Sequence, residues 1–368
     1  MPRDHPPRGR LSRGYVRAVA LVHLLGVAAT PRSPRGGSPA DLARQALTGA
    51  LDDAGLTAAE VDGVAIAATD RSFASGAEAV LGPTRRGYNC RCGLGPVALD
   101  SAWKAVSAGV SDVVVCLGFD RGPGTALVDD RRWLEAQAAA AREFLQHSGA
   151  EERHLAQVAA KNRRHGAEAP GAPLAAVGVE EILASETLLW PLRRLMVAPP
   201  AHGAAAIVLA GAAPGARRGP KAPVVRASVM LDASSNGGAE SSRAARLAYF
   251  SAGVGPEDID LAEVEDPTPV EEIAAYEALE FAPEGAAAEL VESGFTALGG
   301  VLPVNASGGA LCQGFSRGAG GIRQLVELSL QLRGRAGRRQ VPGARVGLSL
   351  SGGPATPGGP TGLTIVST

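Results

Sequence analysis

Four cysteines, Cys90, Cys92, Cys116 and Cys312, and six histidines are the first places to look for chemistry in this 368-residue chain. Cys92 has the most suggestive setting, because Gly93-Leu94-Gly95 follows it and a helix is expected over Pro96–Gly109. A helix N-terminus carries partial positive charge and free N–H groups, which favour thiolate over thiol. A sulfur so placed can take an acyl group from a thioester. The competing reading is a small side chain packed beside a sheet, a common fate for cysteine. Cys90-Arg91-Cys92 is too tight for half of a zinc CxxC pair, so no metal is expected. Four cysteines in so long a chain do not resemble a disulfide scaffold, which favours a reducing compartment, taken as cytoplasmic. Of the histidines, His5 lies in the N-terminal tail, His23 in the first expected strand, and His147, His154 and His165 on polar helices. His202 opens a buried strand, with two readings: turned toward a pocket, or packed.

These residues need a frame, and the apolar pattern supplies one. Hydrophobic residues make up 45% and charged residues 20%, the balance of a globular body. A net charge of −1 offers no footing for nucleic acid. Apolar runs alternate with helical periods. Strands are expected at Val16–Gly26, Val61–Ala67, Asp112–Gly118, Ala204–Ala210, Val224–Leu231, Ile259–Val264, Ala344–Ser351 and Gly362–Ser367. Helices are expected at Ala40–Ala54 behind an N-cap at Ser38, then Gly238–Ala252, Thr268–Leu279 and one long region over Gly308–Arg333. Residues 120–200 break the rhythm with helical stretches at Arg131–His147, Glu151–His165 and Val179–Glu186, an excursion from the sheet. The Arg- and Pro-rich start followed by an apolar run resembles a secretory signal, but the β-branched run Val16–Val22 leading into a helix favours a disordered tail over 1–14 and then a strand. No stretch reaches the roughly 18 uncharged apolar residues of a membrane span. No Walker motif or dinucleotide fingerprint is present.

One segment recurs. Ala54-Gly55-Leu56-Thr57-Ala58-Ala59-Glu60-Val61-Asp62 parallels Ala252-Gly253-Val254-Gly255-Pro256-Glu257-Asp258-Ile259-Asp260. Each ends a helix at Gly, crosses an acidic turn and enters a strand. Convergent capping would explain it, but its matching position in two similar halves, 15–215 and 222–368, favours repetition.

Over about 15–368 the chain resembles the thiolase superfamily, in its sterol-carrier-protein-x or lipid-transfer branch. The likeness rests on Cys92-Gly93-Leu94-Gly95-Pro96-Val97-Ala98-Leu99, the helix His154–His165, Gly203-Ala204-Ala205-Ala206, Glu263-Val264-Glu265-Asp266, Val304-Asn305-Ala306-Ser307-Gly308-Gly309 and Gln331-Leu332-Arg333-Gly334. It implies two βαβαβαββ halves in a five-layer αβαβα body with a helical loop-domain insertion, and a homodimer. It implies Cys92 as nucleophile and Asn305, Gly308, Gly309 and His202 around the substrate. Where the family carries a G-H-P histidine, this chain has Gly314-Phe315-Ser316, and Phe315 neither takes nor gives a proton. Glu265 stands where relatives have His or Asn, an acid or base if burial raises its pKa and otherwise a charged turn residue. Ser351 stands where relatives have a second cysteine. The tetrad is therefore degenerate.

Three functions follow from that resemblance. One is acyl transfer on a coenzyme A or carrier-bound thioester through Cys92, with no bound cofactor. Another is retro-aldol cleavage of β-hydroxyacyl thioesters beside a small OB-fold/zinc-ribbon partner. The third is a non-catalytic scaffold.

Overall fold

The computed structural model describes residues 21–31, 37–68, 71–82, 89–120, 127–169, 174–216, 222–232, 239–353, 355 and 359–368. The expected tail over 1–14 lies outside them. The first half runs β1 (Val22–Ala29), α1 (Pro39–Ala54), β2 (Gly63–Ala67), α2 (Arg71–Leu81), β3 (Asn89–Cys92), α3 (Gly95–Ser107) and β4 (Val113–Asp120). The excursion follows, with α4 (Arg131–Ser148), α5 (Glu152–Ala167), α6 (Val179–Ala184) and the hairpin β5 (Thr187–Leu189)–β6 (Leu192–Arg193). The chain returns through β7 (Gly203–Ala210) and α7 (Ala212–Ala216). The second half comprises β8 (Val224–Leu231), α8 (Ala239–Ala252), β9 (Leu261–Val264), α9 (Pro269–Ala278), α10 (Ala287–Glu292), α11 (Gly309–Gln313), α12 (Gly320–Leu332), β10 (Val346–Ser351) and β11 (Thr361–Ser367).

The strands order as β3-β2-β4-β7-β1-β8-β11-β10-β9. From the centre outward the first half reads β1, β7, β4, β2, β3, and the second reads β8, β11, β10, β9. A bridge from Ala262 to Val304 stands where a fifth strand would lie. Among the described residues, β1 and β8 join the two halves of the sheet through Val22↔Val225 and His23↔Val224. Alternate side chains of each strand then serve two different layers. On β7, Ala204, Ala206, Val208 and Ala210 pack with the α1 residues Ala46 and Leu47, while Ala205, Ile207 and Leu209 pack with Leu99 of α3 and Ile322 of α12. On the far side Leu348, Leu350 and Leu363 pack with Ala244 of α8 and Ile273 of α9. The layers are thus helix, sheet, central helices, sheet, helix, the thiolase architecture.

Three expectations need correction. Among the described residues the first strand is Val22–Ala29, which runs three residues past the expected end at Gly26; residues 16–20 of the expected Val16–Gly26 lie outside them. Gly26 does not break it: a Cβ there would lie 2.1 Å from Ala50 O, so glycine is what lets α1 pack on the strand. Ser38 precedes α1 but makes no side-chain capping bond. The long helix over Gly308–Arg333 is two helices, parted by the turn Gly314–Ala319. The Phe315 N–H donates to Pro199 O (2.8 Å), so a strand-like tie to the first half outcompetes helix continuation.

Candidate active site

The loops at the carboxyl ends of β1 and β9, with α11 and α12, enclose a cavity of about 320 Å³. That is large enough for a small ligand, since ligand pockets run upward from roughly 300 Å³. Thr30, Glu263, Glu265, Asp266, Ser307 and Phe315 lie on its wall. Of the residues singled out from sequence, Glu265, Gly309 and Phe315 line it. Among the described residues the wall does not include Cys92, His202, Asn305, Gly308 or Ser351, nor any histidine.

Cys92 ends the edge strand β3, half-buried, and its thiol donates to Leu94 O at 3.2 Å. Burial pushes the thiol up, aided by the neighbouring Cys90, while backbone hydrogen bonds at Leu94 and Ala98 pull the other way. Burial thus favours the neutral thiol, against the pull that the start of α3 exerts toward thiolate. Gly95, the first residue of α3, donates its N–H to Arg317 O at 2.9 Å, so β3 abuts the turn that carries Phe315. That turn fits only because glycine faces glycine: a Cβ at Gly118 would lie 2.2 Å from Gly318 O.

The second half supplies the carboxyl groups. Glu265 follows β9, and its carboxylate accepts the Gly352 N–H at 2.7 Å, which ties it to the end of β10. Ser351 donates to Gln324 Oε1 at 2.9 Å and so stands behind a wall residue. Asp266 is fully buried and accepts the N–H groups of Ala310 (2.5 Å) and Leu311 (3.3 Å), anchoring the start of α11. Burial, then Glu272, pushes Asp266 well above the usual carboxylate range. Asn305, with φ 54°, is buried at 0% exposure. Its amide oxygen accepts the Val264 N–H (2.8 Å) and its amide nitrogen donates to Glu272 (2.7 Å), so it holds the loop to β9 instead of lining the cavity. Gly308 packs against Gly166 of α5. His165 ties α5 to the same loop, with Nδ1 donating to Asn305 O (3.0 Å) and Nε2 accepting the Leu298 N–H (2.9 Å). Burial lowers its pKa to about 3, so the ring is neutral. Cys312 is buried on α11 near Leu174 O, away from the cavity wall.

Sequence reasoning passed over Glu263 and Ser307. Glu263 sits mid-strand in β9, 1% exposed, and accepts the Ser307 N–H (3.0 Å) and hydroxyl (2.5 Å). The signal was present: an acidic side chain inside a strand covered on both faces.

Residues 227–357 match the family model described as thiolase C-terminal domain-like. An acetyl-CoA acetyltransferase of Methanothermobacter thermautotrophicus is 32% identical, over 84% of this chain and 90% of that protein. The chain belongs to the thiolase superfamily. Within it, the likeness falls on the sterol-carrier-protein branch, with sterol carrier protein 2 of Bos taurus 32% identical over 84% of this chain. The chain spans 65% of that bovine protein's length. The solved structure titled Ltp2-ChsH2(DUF35) aldolase superposes with a TM-score of 0.83 at 23% identity, over 95% of this chain and 98% of that one, which shows the shared fold. Among the described residues of this thiolase relative, no cluster of three His, Cys, Asp or Glu is placed to hold a metal ion, and no helix is long and apolar enough to cross a membrane.

Proposed function

We propose that this thiolase relative breaks a carbon–carbon bond in an acyl thioester by retro-aldol cleavage, using carboxyl groups and not sulfur to move protons. The carrying observation is the cavity wall itself: Glu263, Glu265 and Asp266 line the same cavity as Phe315, while the Cys92 thiol donates to a carbonyl outside it. Retro-aldol chemistry needs a base for the β-hydroxyl and a proton for the α-carbon, and no covalent acyl-enzyme. Glu265 is our general base, held by Gly352. The solved relative titled an aldolase supports the reading, and its title names a second protein, so we also propose a small partner of that kind. Coenzyme A or a carrier is the proposed thioester handle, and a homodimer in the cytoplasm the proposed state.

Acyl transfer through Cys92 is the second reading, favoured by its position at the mouth of α3. Incubation with β-hydroxyacyl-CoA and with plain acyl-CoA separates the two. We expect ketone or aldehyde release with no acyl mass on the Cys92 peptide. An adduct that forms and decays at the turnover rate would replace our reading with acyl transfer.

A further inference from the structure

The cavity wall holds a hydrogen-bonded serine–carboxyl pair that neither the loss of the histidine nor the place of Glu265 accounts for. Ser307 Oγ lies 2.5 Å from Glu263, and the Gly309 N–H donates to the same hydroxyl at 3.1 Å. Both side chains face the cavity. If Glu263 only fastened the loop to β9, its bond to the Ser307 backbone N–H would suffice. Its surroundings are unusual for a fastening carboxylate. Arg339, in the turn after α12, gives these hydrogen bonds to Glu327 of α12, at 3.2 and 2.8 Å, and acts on Glu263 through its charge. Asp266, Glu265 and Arg323 share the same cavity. Burial, then the Glu327 charge, raises Glu263 to about 8 against the pull of Ser307 and Arg339. A carboxyl group that keeps its proton at neutral pH is a usable acid.

We propose that Ser307 delivers the proton that quenches the α-carbon of the cleaved thioester, with Glu263 as the acid that resupplies it. The inference rests on the retro-aldol reading and adds the second proton step to it. As the Cα–Cβ bond breaks, its electron pair enters the thioester enolate while the β-oxygen, its proton passed to Glu265, becomes a carbonyl. With Glu263 protonated, its carboxyl O–H donates to Ser307 Oγ across the 2.5 Å contact and frees the serine proton; the enolate α-carbon takes that proton, and the Glu263 proton moves to Ser307 Oγ. Glu263 is left ionised and Glu265 protonated, and exchange with water resets both. No oxidant, reductant or metal enters the balance. Ser307 meets the substrate, whereas Glu263 is a positioning residue that acts through it.

The sign of the pH dependence follows. Glu263 must be protonated, so turnover holds below its pKa of about 8 and falls as pH rises through that value. Cleavage of a β-hydroxyacyl-CoA is measured from about pH 6 to about 10. Alongside it, deuterium uptake at the α-carbon of a saturated acyl-CoA in heavy water is followed by mass spectrometry. We expect S307A and E263Q each to lose roughly 100-fold or more in both assays, and S307T to recover much of the loss. The alkaline fall should vanish from whatever activity E263Q retains. If wild-type protein exchanges deuterium without cleaving, the retro-aldol reading fails while the proton pair stands. Variants that keep wild-type exchange and the same alkaline limb would overturn the pair. A ¹³C-carboxyl-glutamate resonance that titrates near 8 in the native protein and is missing from E263Q checks the acid without any substrate, and its absence from native protein would also overturn the proposal.

Discussion

The joint leading from α1 into β2 and the joint leading from α8 into β9 are built from the same parts. Gly55 and Gly253 both take left-handed backbone, at φ 52° and 69°. One-turn helices follow at Ala58–Glu60 and Pro256–Asp258. Asp62 then accepts the N–H groups of Asp112 (2.9 Å) and Val113 (3.1 Å) at the start of β4. Asp260 accepts those of Arg345 (2.7 Å) and Val346 (2.8 Å) at the start of β10. Each aspartate thereby fixes the register of its parallel neighbour strand. The far ends of the same strands share nothing of this kind. In the first half, β2 leads to an apolar region where Phe73 stacks on Phe119 with ring centroids 4.5 Å apart. In the second, β9 leads to Glu263, Glu265 and Asp266. The repeat thus keeps the interactions that position strands and diverges where the second half's strand opens on the cavity with carboxyl groups.

The largest test of that contrast is the buried polar network centred on Glu272 of the second half, to which α5 of the excursion contributes Lys161 and Asn162. Glu272 of α9 receives hydrogen bonds from Lys161 (2.5 Å), Asn162 (2.5 Å), Asn305 (2.7 Å) and Tyr276 (2.5 Å), all without access to water. Removing one partner of a buried ion pair strands the other, at a cost of about 3–5 kcal/mol. We expect Glu272→Ala to lower unfolding free energy by that amount in denaturant titration, and to loosen the Asn305–Gly309 loop so that cleavage falls too. Phe73→Leu, the counterpart in the first half, should leave cleavage near wild type.

Gly118→Ala probes the seam between the halves. The added Cβ would lie 2.2 Å from Gly318 O and 2.7 Å from Ile322 Cδ1. Neither the backbone nor the packed side chain yields cheaply, and overpacking of this sort costs about 1–3 kcal/mol. The displaced turn carries Phe315, so stability and turnover should fall together. A variant with wild-type thermal midpoint would show that the seam has slack.

Sequence carried the frame further than the site, for physical reasons. The Asp112–Gly118 run was legible because its unbroken Val113–Val115 stretch has few other uses, and Val224–Leu231 because valines flank its polar residues. Both Gly-capped joints were legible because capping is local chemistry. The break at Gly314–Ala319 was not, because the apolar period continues across it and the competing bond comes from Pro199, far away in the chain. Strand β3 escaped notice for the opposite reason: Asn89–Cys92 is short and polar, and only pairing with β2 makes it a strand. In the site, Cys92 was singled out from its place before a helix, while its burial could not be read from Cys-Gly-Leu-Gly. Glu263 and Ser307 are 44 residues apart and meet only once β9 and the Asn305 turn are side by side.

Smaller effects test the shared part of the comparison. Asp62→Ala and Asp260→Ala each remove two hydrogen bonds from a partly exposed carboxylate, worth about 1–2 kcal/mol. Equal losses, within about 0.5 kcal/mol, are expected if the joints are equivalent. A marked inequality in chemical denaturation would break the likeness at its best-matched point.

The smallest effect is expected at the residue with the strongest family pedigree. Cys92 is outside the cavity wall, gives its proton to Leu94 O, and is held toward the neutral thiol by burial. Cys92→Ala should therefore keep β-hydroxyacyl-CoA cleavage within a factor of about three, and removing one half-buried sulfur should shift the thermal midpoint only slightly. Alkylation by iodoacetamide should be slow at neutral pH and quicken only above the ordinary thiol range, because the thiolate is the reacting form. Fast labelling at neutral pH, with cleavage abolished in Cys92→Ala, would mean that the first half supplies chemistry after all, and that the two halves divide the reaction between them.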